Sequence, residues 1–205
     1  AKESLEQAKE RGVAKEKINV FERQLQSRTQ DGNADSAQPS DSDINTLLQH
    51  YQHGQYGDAE QLAVSLTERF PMHPFSWKVL GVLLRQLGRT SESLSVAQNS
   101  IQLAPQDAEA HNNLGLTLKE LGRLDDAAAS YRQAIALKPD IAEAHYNLGT
   151  TLRELAKLDE AEASCRQAIA LKPDYAEAHY NLGITLKELG KLDDAEASYR
   201  QAITL

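Results

Sequence analysis

The sequence predicts an all-α protein, a solenoid of stacked antiparallel helix pairs. The first observation is repetition at a fixed period. The segments AEAHNNLGLTLKELGRLDDAAASYRQAIALKP from Ala108, AEAHYNLGTTLRELAKLDEAEASCRQAIALKP from Ala142 and AEAHYNLGITLKELGKLDDAEASYRQAITL from Ala176 align without gaps, each 34 residues after the last. Such a period marks a supersecondary unit that buries its apolar face only against its neighbours. The second observation is that each unit holds two apolar stripes of helical spacing. Ala110, Leu114, Leu118 and Leu121 form one stripe, and Leu124, Ala127, Tyr131, Ala134 and Ile135 the other. The third is composition. Hydrophobic residues make up 40% of the 205, yet aromatics only 5%. A core of Ala, Leu and Ile suits helices better than sheets.

Read in order, the chain opens with a charged segment, 1–28, whose large apolar residues are Leu5, Val13, Ile18, Val20, Phe21 and Leu25. It predicts one helix weakened at Gly12, or two short ones. Residues 29–43 carry no large apolar side chain and are rich in Asp, Ser and Gly, which predicts a flexible linker. The solenoid is expected over 44–205 as about five repeats. Residues 44–71 form a degenerate first copy, in which Ile44, Leu47, Leu48 and Tyr51 begin the first helix. A looser copy spans 74–105, and the near-identical copies span 108–139, 142–173 and 176–205.

Within each unit Gly122 and its counterparts Gly88 and Gly190 stand where a helix must end with φ > 0. Ala156 occupies that place in one copy. Pro105, Pro139 and Pro173 close the second helices, because proline cannot continue a helix from inside. Asp140 with Glu143, and Asp174 with Glu177, read as N-terminal caps, with Gln106 a weaker cap in the remaining copy. Lys138 and Lys172 sit at carboxyl ends of helices, where the macrodipole favours a cation. Gly115 and Ala127 are small enough to let the two helices of a pair approach closely.

The pattern resembles the tetratricopeptide repeat family over about residues 42 to 205. Trp77, Leu80 and Gly81 match its opening Trp-x-x-Leu-Gly, with His111, His145 and His179 at the Trp place in later copies. Ala127, Ala161 and Ala195 match its small residue, Tyr131 and Tyr199 its aromatic, and the three prolines its closing residue. Local departures are Leu84, Leu118, Leu152 and Leu186 where the family often has Tyr, Cys165 at the aromatic and Ala156 at the turn glycine. The resemblance implies a right-handed superhelix whose first helices line a concave groove. Near-identical copies of this kind resemble the arrays of O-linked N-acetylglucosamine transferases and related bacterial proteins, and so imply a bacterial source.

On that groove the resemblance places a row of amides, Asn113, Asn147 and Asn181. Each offers a donor and an acceptor, matching the backbone of an extended peptide without reading its side chains. Beside them stand Asn112, Tyr146 and Tyr180, then Lys119, Arg153 and Lys187, with Glu109, Glu143 and Glu177 nearby. Tyrosine offers contact area at low entropic cost, and Arg can pair a carboxylate. Some family members clamp acidic C-termini of chaperones with basic residues and Asn. Lys78 and Asn113 match part of that clamp, but Val82 and Glu109 do not, and an acid facing a carboxylate is repulsive.

No catalytic site is expected. The sequence contains no glycine-rich phosphate loop, no GxSxG and no metalloprotease motif. Asp125-Asp126, Asp159-Glu160 and Asp193-Asp194 begin helices, where the dipole accounts for them. Cys165 reads as core filler. His111, His145 and His179 should lie about 10 Å apart, too far to share one ion, so neither a metal nor another cofactor is expected. The formal charge of −8 argues against nucleic acid as partner. No apolar run is long enough to span a membrane, and neither a signal-peptide pattern nor a disulfide-capable cysteine pair is present. A cytoplasmic protein is expected.

The leading expectation is a scaffold that binds an extended peptide or partner segment in the groove. The alternative is the substrate-recognition arm of a larger enzyme, a glycosyltransferase or sulfotransferase. The last helix copies an interior one and keeps its apolar stripe. Either further repeats follow it, or the chain associates with itself through that end.

Overall fold

The computed structural model describes residues 38–205. The expected N-terminal segment 1–28, and the linker as far as residue 37, lie outside the described residues. Among the described residues are ten helices: α1 Asp41–Gln52, α2 Tyr56–Arg69, α3 Pro74–Gln86, α4 Thr90–Leu103, α5 Ala108–Glu120, α6 Leu124–Leu137, α7 Ala142–Glu154, α8 Leu158–Leu171, α9 Ala176–Glu188 and α10 Leu192–Thr204. They form five antiparallel pairs, and each pair packs on the next. This is the predicted all-α solenoid.

Two details differ from the sequence expectation. The first helix begins at Asp41, inside the stretch read as linker. The Ser40 hydroxyl accepts the Asp43 amide at 3.1 Å, and Asp41 and Asp43 fall in the first turn, where helix N-termini favour acids. The caps also sit one residue later than expected. Ile141 and Tyr175 hold the cap positions of α7 and α9, and neither makes a side-chain cap bond. Asp140 and Asp174 therefore do not cap. In the copy where Gln106 was expected to do so, Asp107 caps α5 instead, accepting the amides of Glu109 at 3.0 Å and Ala110 at 3.1 Å. The tight turn after the closing proline uses one more residue before helical geometry begins, and only this copy places an Asp there.

The turns inside the pairs are uniform. Gly54, Gly88, Gly122 and Gly190 have φ between 70 and 77°, and Ala156 has φ 58°. At Gly122 two bonds close the helix end: its own amide to the Lys119 carbonyl, and that of Arg123 to the Leu118 carbonyl, both 2.9 Å. Ala156 makes the same pair with Arg153 and, through Lys157, with Leu152. The left-handed conformation is thus demanded by the helix-terminating bonds, and Ala156 bears its steric cost.

Glycine also sets how closely the helices of a pair approach. A Cβ on Gly115 would lie 2.5 Å from the Tyr131 ring, and one on Gly149 would lie 2.7 Å from Cys165 Sγ. Tyr131 and Cys165 are fully buried beneath these glycines. At Gly81 the aromatic's place is taken by Ala97, and a Cβ would meet nothing nearer than Val96 at 3.6 Å. There the missing ring leaves a hollow of about 10 Å³, room for roughly one water.

The Trp/His position ties each pair to the one before it. Trp77 Nε1 donates to the Pro71 carbonyl at 2.8 Å. His111, His145 and His179 donate through Nε2 to the carbonyls of Pro105, Pro139 and Pro173 at 2.9–3.0 Å. A carbonyl can only accept, so Nε2 carries the proton. These rings join a helix to the turn that precedes it.

Two expectations follow. Ala156→Gly relieves the left-handed strain and should stabilise the array by about 0.5–1 kcal/mol, read as a raised midpoint in thermal denaturation followed by circular dichroism. The equivalent glycines should respond oppositely to alanine. Gly115→Ala forces the buried Tyr131 ring aside and should cost about 1–3 kcal/mol. Gly81→Ala adds helix propensity over a hollow and should be neutral or stabilising by up to about 1 kcal/mol. Urea titration of both variants checks the contrast.

Candidate groove site

The first helices of successive pairs, α3, α5, α7 and α9, touch one another as well as their own second helices. They therefore form the inner wall of the array. All nine residues expected to line the groove lie on α5, α7 and α9, but their surroundings divide them.

The amides are not equivalent. Asn147 Nδ2 donates to Asn112 Oδ1 at 3.1 Å, and Asn181 Nδ2 donates to Tyr146 Oη at 3.2 Å and to the Glu177 carbonyl at 2.9 Å. Each of these bonds spans 35 residues, one period plus one, except the local bond to Glu177. They stitch neighbouring pairs together and use the amide donors, while the Oδ1 oxygens stay available. The residue 35 before Asn113 is Lys78, which offers no acceptor. Asn113 accordingly makes no side-chain hydrogen bond among the described residues. It lines the hollow left by Ala97, together with Lys78, Val82 and Arg85.

The cations follow the same offset. Lys119 meets Glu154 at 3.0 Å and Arg153 meets Glu188 at 3.3 Å, just as Arg85 meets Glu120 at 3.1 Å. Lys119 also donates to Thr150 Oγ1 at 2.9 Å. Lys187 has no carboxylate partner among the described residues. Glu120, Glu154 and Glu188 escaped the sequence reading, although a search for opposite charges at one period plus one would have found them. A hydroxyl row escaped it too. Thr117, Thr151 and Thr185, all buried, donate to the carbonyls of Asn113, Asn147 and Asn181 at 2.8–3.1 Å. These bonds fix the backbone from which the amides project.

Tyr146 stacks at 5.0 Å from Tyr175, and Tyr180 lies 5.7 Å from Tyr199 with 54% of its surface exposed. Burial raises the phenol of Tyr146, and that of Tyr175 to about 12, so both stay protonated donors at neutral pH. Burial likewise pushes the Cys165 thiol up to about 11, which leaves it a poor nucleophile. Among the described residues no group of three His, Cys, Asp or Glu side chains could hold a metal ion. No helix among them is long and apolar enough to cross a membrane.

At the mouth of the groove Lys78 donates to Asp107 at 2.8 Å and to Glu109 at 2.9 Å. The mismatch expected from Glu109 is thus concrete: it neutralises the lysine that a carboxylate clamp would need free. Burial opposes ionisation of Asp107. The Lys78 hydrogen bond and the amides of Ala110 and Glu109 outweigh it and hold the carboxyl below its usual range, while Lys78 is raised.

Helix pairs stacked at a fixed period define a helical-repeat interaction scaffold. The tetratricopeptide repeat profile matches residues 48–108, 112–176 and 146–205, so the chain belongs to the tetratricopeptide repeat family. Among solved structures, MamA from Desulfovibrio magneticus RS-1 superposes with a TM-score of 0.72 at 19% identity, over 80% of this chain and 92% of that one. Another MamA crystal structure gives 0.69 at 21%, over 76% and 91%. At this identity the likeness concerns the fold. No curated protein sequence matches the chain.

The depressed Asp107 carboxyl makes a prediction. Its contribution to stability is complete above the ordinary carboxylate range, near about pH 4, and is lost as pH falls through the lower folded value. Asp107→Asn keeps a competent cap but removes the charge. Thermal melts between pH 2.5 and 7 should show a loss of about 0.2–1 kcal/mol at neutral pH and a flatter acid limb.

Proposed function

We propose that this chain is a non-catalytic scaffold that holds an extended polar segment of a partner protein along the inner wall of α3, α5, α7 and α9. The observation that carries this reading is the amide row. Asn113 keeps all its hydrogen-bonding capacity, and Asn147 and Asn181 keep their acceptors, at a regular spacing along one wall. Half-buried amides with valences to spare suit a ligand that supplies backbone N–H and C=O groups. The paired cations argue for the kind of segment held. Lys78, Arg85, Lys119 and Arg153 are neutralised by carboxylates of the chain itself, so an acidic tail finds no free positive row. A neutral or mildly basic segment avoids that penalty.

The amides should separate binding from folding. With peptides selected from a random library by the whole chain, Asn113→Ala should weaken binding by about 0.5–1.5 kcal/mol without shifting the melting midpoint. Asn147→Ala and Asn181→Ala should lower both, because each also breaks a bond between pairs. Selected peptides that bind the Asn113→Ala chain unchanged, measured by isothermal titration calorimetry, would remove the reading.

A further inference from the structure

The hollow at Gly81 is chemically unlike its counterparts. Beneath Gly115, Gly149 and Gly183 stand Tyr131, Cys165 and Tyr199, and a Cβ on any of these glycines would strike them at 2.5–2.7 Å. Gly81 faces only Ala97, and the space stays open. The walls differ too. Ser93 and Ser100 stand where the next copy has Ala127 and Ala134, so the place that lacks a ring carries two hydroxyls that the others lack.

The hydroxyls in the hollow are short of protons. Ser93 Oγ donates to the Gly81 carbonyl at 2.8 Å and Thr117 Oγ1 donates to the Asn113 carbonyl at 3.1 Å, yet the two hydroxyl oxygens also stand 3.1 Å apart. A hydroxyl has one proton to give. Two protons cannot serve three contacts, so the pair presents spare lone pairs. Both side chains are buried, and both line the hollow. A donor entering the hollow would supply the missing proton.

The way in is the inner wall. Gly81, Ala97, Ser100 and Ala110 are buried with the hydroxyl pair, whereas Lys78, Val82, Arg85 and Asn113 are half-buried. Those four lie on α3 and α5, so the hollow opens into the groove beside the free Asn113 amide. The two cations at this rim are already held by Asp107, Glu109 and Glu120, so they draw no anion in.

We propose, resting on the groove reading above, that this hollow selects a serine in the held segment. Room for about one water admits a side chain with a single heavy atom beyond Cβ. The proton shortage requires that atom to be a donor. Serine meets both conditions. Alanine brings no proton, threonine adds a methyl, and a phosphate on the serine is far too large. Asn113 then bonds the backbone of the same residue.

The probe is the set of peptides selected from a random library by the whole chain. Each is resynthesised with Ser, Ala, Thr or phosphoserine at every position in turn and titrated by calorimetry. One position should prefer Ser over Ala by about three- to tenfold, the size of one hydrogen bond, and reject Thr and phosphoserine. Ser93→Ala puts back the residue of the later copies, and Gly81→Ala narrows the hollow; circular dichroism should find both folded. Each should abolish the preference while still binding the Ala peptide as the original chain does. A preference that survives both changes, or no preference at any position, would overturn the proposal and leave a water molecule as the occupant. If Asn113→Ala still weakens those peptides, the groove reading stands without it. Selection of no peptide at all would remove both.

Discussion

No helix pair in this chain can bury its own apolar face, and the rest of the architecture answers that constraint. One pair of 13- and 14-residue helices has too little interior to stand alone. The side chains that matter most are therefore those shared between pairs. Tyr131 is sealed by the pair that follows, whereas Tyr199, in the last pair described, is half-buried. Burial here is a property of position in the stack more than of residue type.

The polar bonds of the inner wall obey the same rule. They recur at 35 residues, so each joins the first helix of one pair to the first helix of the next. Exposed ion pairs contribute little singly. Repeated in register, they join each first helix to the next along the wall, beside the apolar packing that holds the pairs together. Stitching and ligand binding then compete for one set of groups. Where the offset lands on a lysine, as at Lys78, the amide of Asn113 is released for other use. Divergence of the 74–105 copy thus has two linked effects on the wall: Ala97 leaves a hollow, and Lys78 frees the amide beside it.

Much of this was legible in the residues. The 34-residue period, the paired helices, the turn glycines and the odd Ala156 among them follow from spacing and from φ > 0 chemistry. The placement of the caps was not, because the turn after each proline consumes a residue in a way that composition does not announce. Asp107 rather than Gln106 is the cap for that reason. The groove residues could be named from the repeat pattern and the family it resembles, but not sorted. Asn113, Asn147 and Asn181 are the same letter at the same place in three copies, yet one is free and two are bonded.

The sequence by itself determined the local structure, because helix spacing, helix breakers and the identity of each repeat are encoded within a few residues of one another. Tertiary structure alone decided which valences remain for a partner. Side chains 35 positions apart meet only after two pairs have stacked at a particular rotation. No local rule states whether Lys119 will find Glu154 or whether Asn113 will be left free.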